Sequence, residues 1–173
     1  MRRPTHIALG LLLTTAATLA ACSNTPGRSA SYGPSGSPTG DDGGLFGRGT
    51  AVVTGDGDTY TLEVEIADTD LARATGLMHR TSLAPDAGMA FLFDEPAKLS
   101  FYMKETLIPL SIAFWDPDGR VVGVFEMLPC ASDPCPLTTS PEPAIGALEM
   151  NAGWFDRHAV RVGDRITVRR SGG

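Results

Sequence analysis

The chain has 173 residues, with 20 acidic and 14 basic side chains and a formal net charge of −6. An acidic chain repels phosphate backbones and anionic headgroups, which argues against a nucleic-acid partner and against electrostatic docking on a membrane. The length is enough for a domain with one hydrophobic core.

The first residues are typical of an export signal. Arg2 and Arg3 precede an apolar stretch from Ile7 to Ala21, which is too short to span a bilayer and ends in small residues. The run Leu19-Ala20-Ala21-Cys22 resembles the lipobox of bacterial lipoproteins. The resemblance implies that residues 1–21 are a signal peptide and that the Cys22 thiol carries a diacylglyceryl group. The alternative is an ordinary secretory signal, and both alternatives predict export.

Removal of residues 1–21 leaves 12 basic against 20 acidic residues, a net charge of about −8. The lipid itself must then hold the chain at the membrane, because each buried CH₂ contributes roughly 0.8 kcal/mol. We expect a lipid-anchored protein on the extracytoplasmic face of the cell membrane.

Residues 22–49 are mostly Ser, Gly, Pro, Thr and Asn, and their only large apolar residues are Tyr32, Leu45 and Phe46. Such a segment buries too little apolar surface to offset its ordering entropy, so it is predicted to be a disordered tether. Random-coil scaling gives it an r.m.s. reach of roughly 28 Å. Residues 50–170 form the predicted domain.

Short strands dominate the pattern of this domain. In the first of them Leu62, Val64 and Ile66 alternate with glutamates, as in a half-buried strand. A short helix follows, with an N-cap in residues 68–70 and a stop at Gly76. Residues 116–119, Asp-Pro-Asp-Gly, predict a hairpin turn. The predicted strands are Thr59–Ala67, Gly88–Phe93, Leu99–Met103, Leu110–Trp115, Arg120–Met127, Ala144–Met150 and Arg165–Arg169. Together they predict a mainly β fold, a compact β-sandwich or a partly closed barrel, with one or two short helices.

Cys130 and Cys135 lie between two of these strands, among prolines. In an exported protein this spacing favours a disulfide, which would fix the shape of the loop and contribute about 2 kcal/mol. A redox role and half of a metal site remain the alternatives.

Six segments of the domain resemble the DUF192 family, in the order in which the family has them. They are G-L-M-H-R (76–80), G-M-A-F-L-F (88–93), S-F-Y-M-K-E-T-L-I-P-L-S-I (100–112), D-G-R-V-V (118–122), P-C-A-S-D-P-C-P (129–136) and A-L-E-M-N-A-G-W (147–154), followed by V-G-D-R-I (162–166). The resemblance implies a small, β-rich, often exported domain with no established biochemical activity. Three positions depart from the family pattern. Tyr102 stands where the family usually has Trp, Glu105 where it has Asn, and Ser111 where it has Asp.

Charged residues inside apolar segments give the candidate ligand site. Lys104 follows an apolar run, and Glu149 sits between Leu148 and Met150. Such charges are costly unless they are paired or face a wet cleft. We therefore predict a polar pocket for an anionic or polyhydroxyl ligand, with donors Arg80 and Lys104, acceptor Glu149 and wall residue Thr106. The alternative is a structural ion pair or solvent-facing positions.

Two further site chemistries have weaker sequence support. Five methionines (Met78, Met89, Met103, Met127 and Met150) offer thioethers for Cu(I), but their wide spacing favours core packing, so no cofactor is predicted. A hydrolase built on Glu126 and Glu149 stays open, because carboxylate separation cannot be read from sequence. Trp154 is interpreted as a core plug. The preferred function is a non-catalytic module that binds a small ligand or an envelope partner, and an envelope enzyme is the alternative.

Overall fold

The structure, a computed structural model, describes residues 44–172. The predicted signal peptide, Cys22 and most of the predicted tether therefore lie outside the described residues. The elements in chain order are β1 Gly47–Gly55, β2 Asp58–Ala67, α1 Asp70–Thr75, β3 Gly88–Ala97, β4 Ser100–Tyr102, β5 Leu110–Trp115, β6 Val121–Met127, β7 Leu137–Thr139, β8 Ala144–Asn151, α2 Trp154–Arg157 and β9 Ile166–Arg170.

Seven strands form one mixed sheet in the order β6-β5-β8-β3-β2-β1-β9, and β4 pairs with β7 in a separate two-stranded ribbon. The β2–β3 pair is parallel and is connected through α1, whereas the other pairs in the sheet are antiparallel. The sheet curls so that its outermost strands meet at an isolated bridge between Arg120 and Arg165, but it is not closed. The prediction of a mainly β fold with one or two short helices is confirmed.

Both faces of the large sheet are covered. One face packs around Trp154, Ile66 and Leu148, and the other packs around Phe91, Phe114 and Met89. All six residues of β5 are buried because it lies between these two clusters. The β4–β7 ribbon covers the second face, where the Phe101 ring makes edge contacts with Phe91 and Phe114.

The local signals for turns and helix ends are confirmed. The Thr69 hydroxyl accepts from the Ala72 N–H at the start of α1, and Gly76 ends that helix at φ +48°. In the β5–β6 hairpin, the Asp116 N–H donates to the Arg120 carbonyl at 3.0 Å. Trp154 is 1 % exposed, as expected of a core plug.

Two strands were not predicted. β1 begins at Gly47, three residues before the predicted domain boundary, and pairs with β2 and β9. β7 has three residues, Leu137–Thr139, and forms against β4.

Three loops lie at one end of the sheet, which we call the distal end: residues 77–87 before β3, 103–109 before β5 and 128–136 after β6. The pairing of Leu110 with both Met127 and Asn151 places the ends of these strands together. Because β2 is parallel to β3 and β1 is antiparallel to β2, the chain enters β1 from the opposite end.

Candidate functional site

The three distal loops are bonded to one another. The His79 N–H donates to the Glu105 carbonyl at 2.8 Å, and the Cys130 N–H donates to the Met103 carbonyl at 3.4 Å. Cys130 and Cys135 form the expected disulfide, with Cα atoms 5.6 Å apart. The loops therefore form one connected surface.

Two of the four non-glycine residues with positive φ in residues 44–172 lie where two of these loops meet. His79 and Glu105 have φ values of +62° and +55°, in the left-handed region that non-glycine residues rarely adopt. Their side chains also approach, with His79 Nε2 3.5 Å from Glu105 Oε2. Strain of this kind persists where the surrounding structure fixes it, and it often marks binding sites.

Beneath the loops, two buried glutamates lie in one row across the sheet. Glu149 on β8 pairs with Met89 on β3, and Met89 pairs with Glu65 on β2, so the three side chains share a face. Glu65 and Glu149 are 3 % and 5 % exposed. Arg80 reaches in from its loop and donates to Glu65 Oε2 at 2.7 Å. Arg80 and Glu65 therefore form a buried structural ion pair.

Glu149 differs from Glu65 because no donor accompanies it. Within residues 44–172, none of the hydrogen bonds or ion pairs involves the Glu149 carboxylate. Its neighbours in the row are Met89 and Ile112, which offer no compensating polar group. Burial raises the pKa of Glu149 to about 8. The carboxyl is therefore largely protonated at neutral pH in this structure.

A shallow cleft of about 620 Å³ opens on the outer side of the same loops. It is lined by Tyr102, Lys104, Asp133, Pro134, Cys135 and Leu137. Lys104 Nζ donates to Asp133 Oδ2 at 2.9 Å, and this bond and the Asp133 charge raise the pKa of Lys104. Thr106 is buried, and its hydroxyl donates to the Lys104 carbonyl at 3.3 Å. Thr106 thus holds the turn that presents Lys104.

The four residues predicted to share a pocket are divided between these two places. Arg80 and Glu149 belong to the buried row, Lys104 lies in the open cleft, and Thr106 supports the loop between them. The hydrogen bond from His79 to Glu105 connects the loops that carry Arg80 and Lys104.

Sequence reasoning missed three residues of this region. Glu65 lies in a pattern typical of a half-buried strand, but β2 is covered on both faces. Leu137 was missed with β7, and Asp133 is an exposed loop residue without a distinctive pattern. A signal for Asp133 was its place between the two cysteines.

On the other face of the sheet a second polar cluster surrounds Ser111. Its hydroxyl donates to Glu126 Oε1 at 2.5 Å and accepts from the Gly153 N–H at 2.7 Å. Ser111 pairs with Glu126 and Met150, whereas its neighbour Ile112 pairs with Glu149. Because successive side chains of a strand point to opposite faces, Glu126 and Glu149 lie on opposite faces. They cannot act together on one substrate, so the hydrolase built on this pair is wrong.

The methionines are likewise distributed between the two faces. Met89, Met103 and Met127 pack in one core cluster and Met150 in the other. This distribution favours core packing. Within residues 44–172 no three His, Cys, Asp or Glu side chains are grouped to hold a metal ion. In the same part of the chain no helix is long and apolar enough to cross a membrane.

Comparison with known proteins supports the family resemblance. The family model DUF192, described as "Uncharacterized ACR", matches residues 51–168. A search of curated proteins found no match.

Two solved structures resemble the chain over most of its length. A protein from Sinorhizobium meliloti 1021, described as a "putative transcription regulator", is 34 % identical, with a TM-score of 0.66 over 71 % of this chain and 95 % of that one. A protein of unknown function from Novosphingobium aromaticivorans DSM 12444 is 30 % identical, with a TM-score of 0.68 over 83 % of this chain and 98 % of that one. The chain belongs to the DUF192 family.

Proposed function

We propose that this chain is a lipid-anchored, extracytoplasmic module that binds a small ligand without transforming it. The binding site is the open cleft around Lys104. The observation that carries the proposal is that two bonded loops, residues 103–109 and 128–136, line that cleft together with the β4–β7 ribbon, with an exposed Lys104–Asp133 pair at its rim. Side chains of this pair are 47 % and 63 % exposed, so the pair contributes little to stability and is free to exchange partners.

The construction of the cleft supports binding. The disulfide closes the loop that carries Asp133, and the buried Thr106 fixes the turn that carries Lys104. Sites held on rigid supports lose less entropy when a ligand binds. The position of Glu126 and Glu149 on opposite faces excludes a hydrolase built on that pair, which supports the non-catalytic part of the proposal.

The anchor is proposed from the sequence Leu19-Ala20-Ala21-Cys22. The chain enters β1 from the end opposite the distal loops, so the predicted tether would join the domain away from the cleft. Labelling of cells with a clickable fatty acid should mark the wild type and leave the Cys22→Ser variant unmarked. A labelled Cys22→Ser variant would contradict the anchor.

Ligand binding is tested by thermal shift on the full chain, exported and purified in detergent. The compounds are divalent metals, Cu(I), inorganic phosphate and cell-wall sugars. A ligand present at 100 times its dissociation constant adds about 2.7 kcal/mol to the free energy of unfolding. We expect a stabilising compound whose shift is lost in Lys104→Ala.

Arg161→Ala is the matched control, because Arg161 is also an exposed cation near an exposed aspartate, Asp156, at 3.7 Å. It lines a separate groove with Val160 and Glu126, so its removal should leave the shift intact. A shift lost equally in both variants would contradict the cleft as the site.

A protein partner is the second candidate, and two exposed leucines favour it. Leu107 and Leu128 are 57 % and 77 % exposed at the same distal end. Contiguous exposed apolar patches are typical of docking surfaces, and these two leucines lie on loops that are bonded to each other. Crosslinking on intact cells should then capture a partner that Leu107→Ser/Leu128→Ser loses, with no thermal shift from any small compound.

A further inference from the structure

The outer face of the β4–β7 ribbon presents an ordered row of side-chain pairs. Ser100 pairs with Thr139 and Tyr102 pairs with Leu137, so these four side chains share one face. The Ser100 and Thr139 hydroxyls lie 2.9 Å apart and are exposed. Tyr102 and Leu137 are 44 % and 65 % exposed. Hydroxyls are thus followed along the ribbon by an open aromatic and aliphatic platform.

The row continues beyond the ribbon. Exposure alternates from Ser100 to Lys104, with Phe101 and Met103 buried between the exposed residues. Lys104 therefore follows Tyr102 on the same face, and both line the cleft with Asp133. The full row runs from a hydroxyl pair, through the Tyr102–Leu137 platform, to an ion pair.

From this row we propose that the ligand of the cleft is a linear glycan that carries carboxylate groups, with a sugar ring on Tyr102 and a carboxylate at Lys104. The proposal rests on the proposed function, since it names the ligand class of the same cleft. A pyranose ring has an apolar C–H face and a rim of hydroxyls. It therefore matches a flat aromatic side chain flanked by hydrogen-bonding groups.

The cleft holds one cation, Lys104, and one anion, Asp133, so a ligand carboxylate can bind only where it takes the place of Asp133 beside Lys104. Lys104 exchanges an exposed bond to Asp133 for a charge-assisted bond to the ligand. Asp133 then becomes an acceptor for ring hydroxyls. The residues that line the cleft form no deep apolar pocket that could hold a peptide side chain.

The test uses two linear sugars of the same linkage. β-1,4-Tetramannuronate and β-1,4-mannotetraose differ by a carboxylate in place of a hydroxymethyl group on each ring. Isothermal titration of the full chain should give tighter binding of tetramannuronate, by about tenfold for one charge-assisted bond. Lys104→Ala should remove this preference.

Variants of the platform separate stacking from simple charge attraction. Tyr102→Ala should weaken the binding of both sugars by about tenfold, whereas Tyr102→Trp should retain it. Leu137→Ala should weaken binding, and Leu71→Ala is its matched control, because Leu71 is 66 % exposed on α1. Circular dichroism confirms that each variant is folded.

The possible outcomes separate the proposal that the ligand is a glycan from the proposal that the cleft binds a small ligand. Equal binding of tetraglutamate and tetramannuronate, or binding unchanged in Tyr102→Ala, would overturn the glycan proposal. A thermal shift from another compound that Lys104→Ala abolishes, with no sugar bound, would overturn it while the proposed function stands. No shift from any compound would overturn both.

Discussion

Replacement of the Glu149 carboxyl by an amide, Glu149→Gln, tests the most unusual group in the buried row. Glu149 is 5 % exposed, and burial raises its pKa from an ordinary value of 4.5 to about 8. The variant keeps nearly the same shape but cannot ionise. The difference between wild type and variant therefore isolates the effect of the charge.

The sign follows from proton binding. Between pH 4.5 and 8 the folded state keeps a proton on Glu149 that the unfolded state releases. The free energy of unfolding should then fall as pH rises, by about 1.4 kcal/mol per pH unit. From pH 5 to pH 7.5 this amounts to roughly 3 kcal/mol, and the dependence should level off below pH 4.5 and above pH 8.

Urea unfolding of the wild type and of Glu149→Gln, at half-unit steps from pH 5 to pH 8, measures this pH dependence of the free energy of unfolding. The stability of Glu149→Gln relative to wild type should rise steadily over that interval. Glu142→Gln, at an exposed position, is the control and should run parallel to wild type. Parallel curves for Glu149→Gln as well would refute the reasoning, because they would mean that the carboxylate is solvated or partnered.

Three other variants test the loops around the candidate site. Arg80→Ala leaves the Glu65 carboxylate buried and unpaired, so the free energy of unfolding measured in urea should fall by about 3–5 kcal/mol. Arg170→Ala removes a more exposed ion pair, and its free energy of unfolding should fall by less than about 1 kcal/mol. Equal losses would contradict the burial argument. Glu105→Asn should raise the melting temperature and add about 0.5–1 kcal/mol to the free energy of unfolding, because Asn tolerates φ +55° better than Glu does. A lower melting temperature would show that the contacts of the Glu105 side chain stabilise the fold by more than the backbone strain costs. Replacement of both Cys130 and Cys135 by Ser should lower the free energy of unfolding, measured by calorimetry, by about 2 kcal/mol. An unchanged free energy of unfolding would show that the other contacts of the loop hold it in place.

Strands with strong local patterns were predictable. Leu110–Trp115 has the predicted bounds because six apolar or small residues follow a proline and precede the Asp-Pro-Asp-Gly turn. The α1 cap at Thr69 and the stop at Gly76 depend on neighbouring residues alone, so the sequence contains the whole signal.

The features that escaped prediction depend on distant partners. β1 begins with Gly47 and Gly49, whose composition continues that of the preceding segment, and only its pairing with β2 and β9 defines it. Glu65 reads as a solvent-facing residue until the ribbon and the distal loops cover that face. The separation of the four predicted pocket residues also depends on distant contacts, because spacing along the chain does not show which loop covers which strand.

Two departures from the family pattern acquire a physical explanation. Glu105, where the family resemblance leads us to expect Asn, adopts a conformation that Asn tolerates well. Ser111, in place of the usual Asp, shares the Gly153 N–H with the carboxylate of Glu126. A carboxylate therefore still lies at the start of α2, supplied from the neighbouring strand.

The pairing of β1 with β9 has a consequence for the order of folding. Ala51 lies opposite Val168, so the ladder joins the first and last strands of the domain. Contacts between residues so far apart in sequence form slowly, because a long loop must close first. Until β9 has been synthesised and has paired, the outer edge of β1 remains without its partner strand and open to pairing with other chains. The domain is therefore exposed to aggregation until its final residues arrive, and a chain truncated before Ile166 should retain that exposed edge permanently.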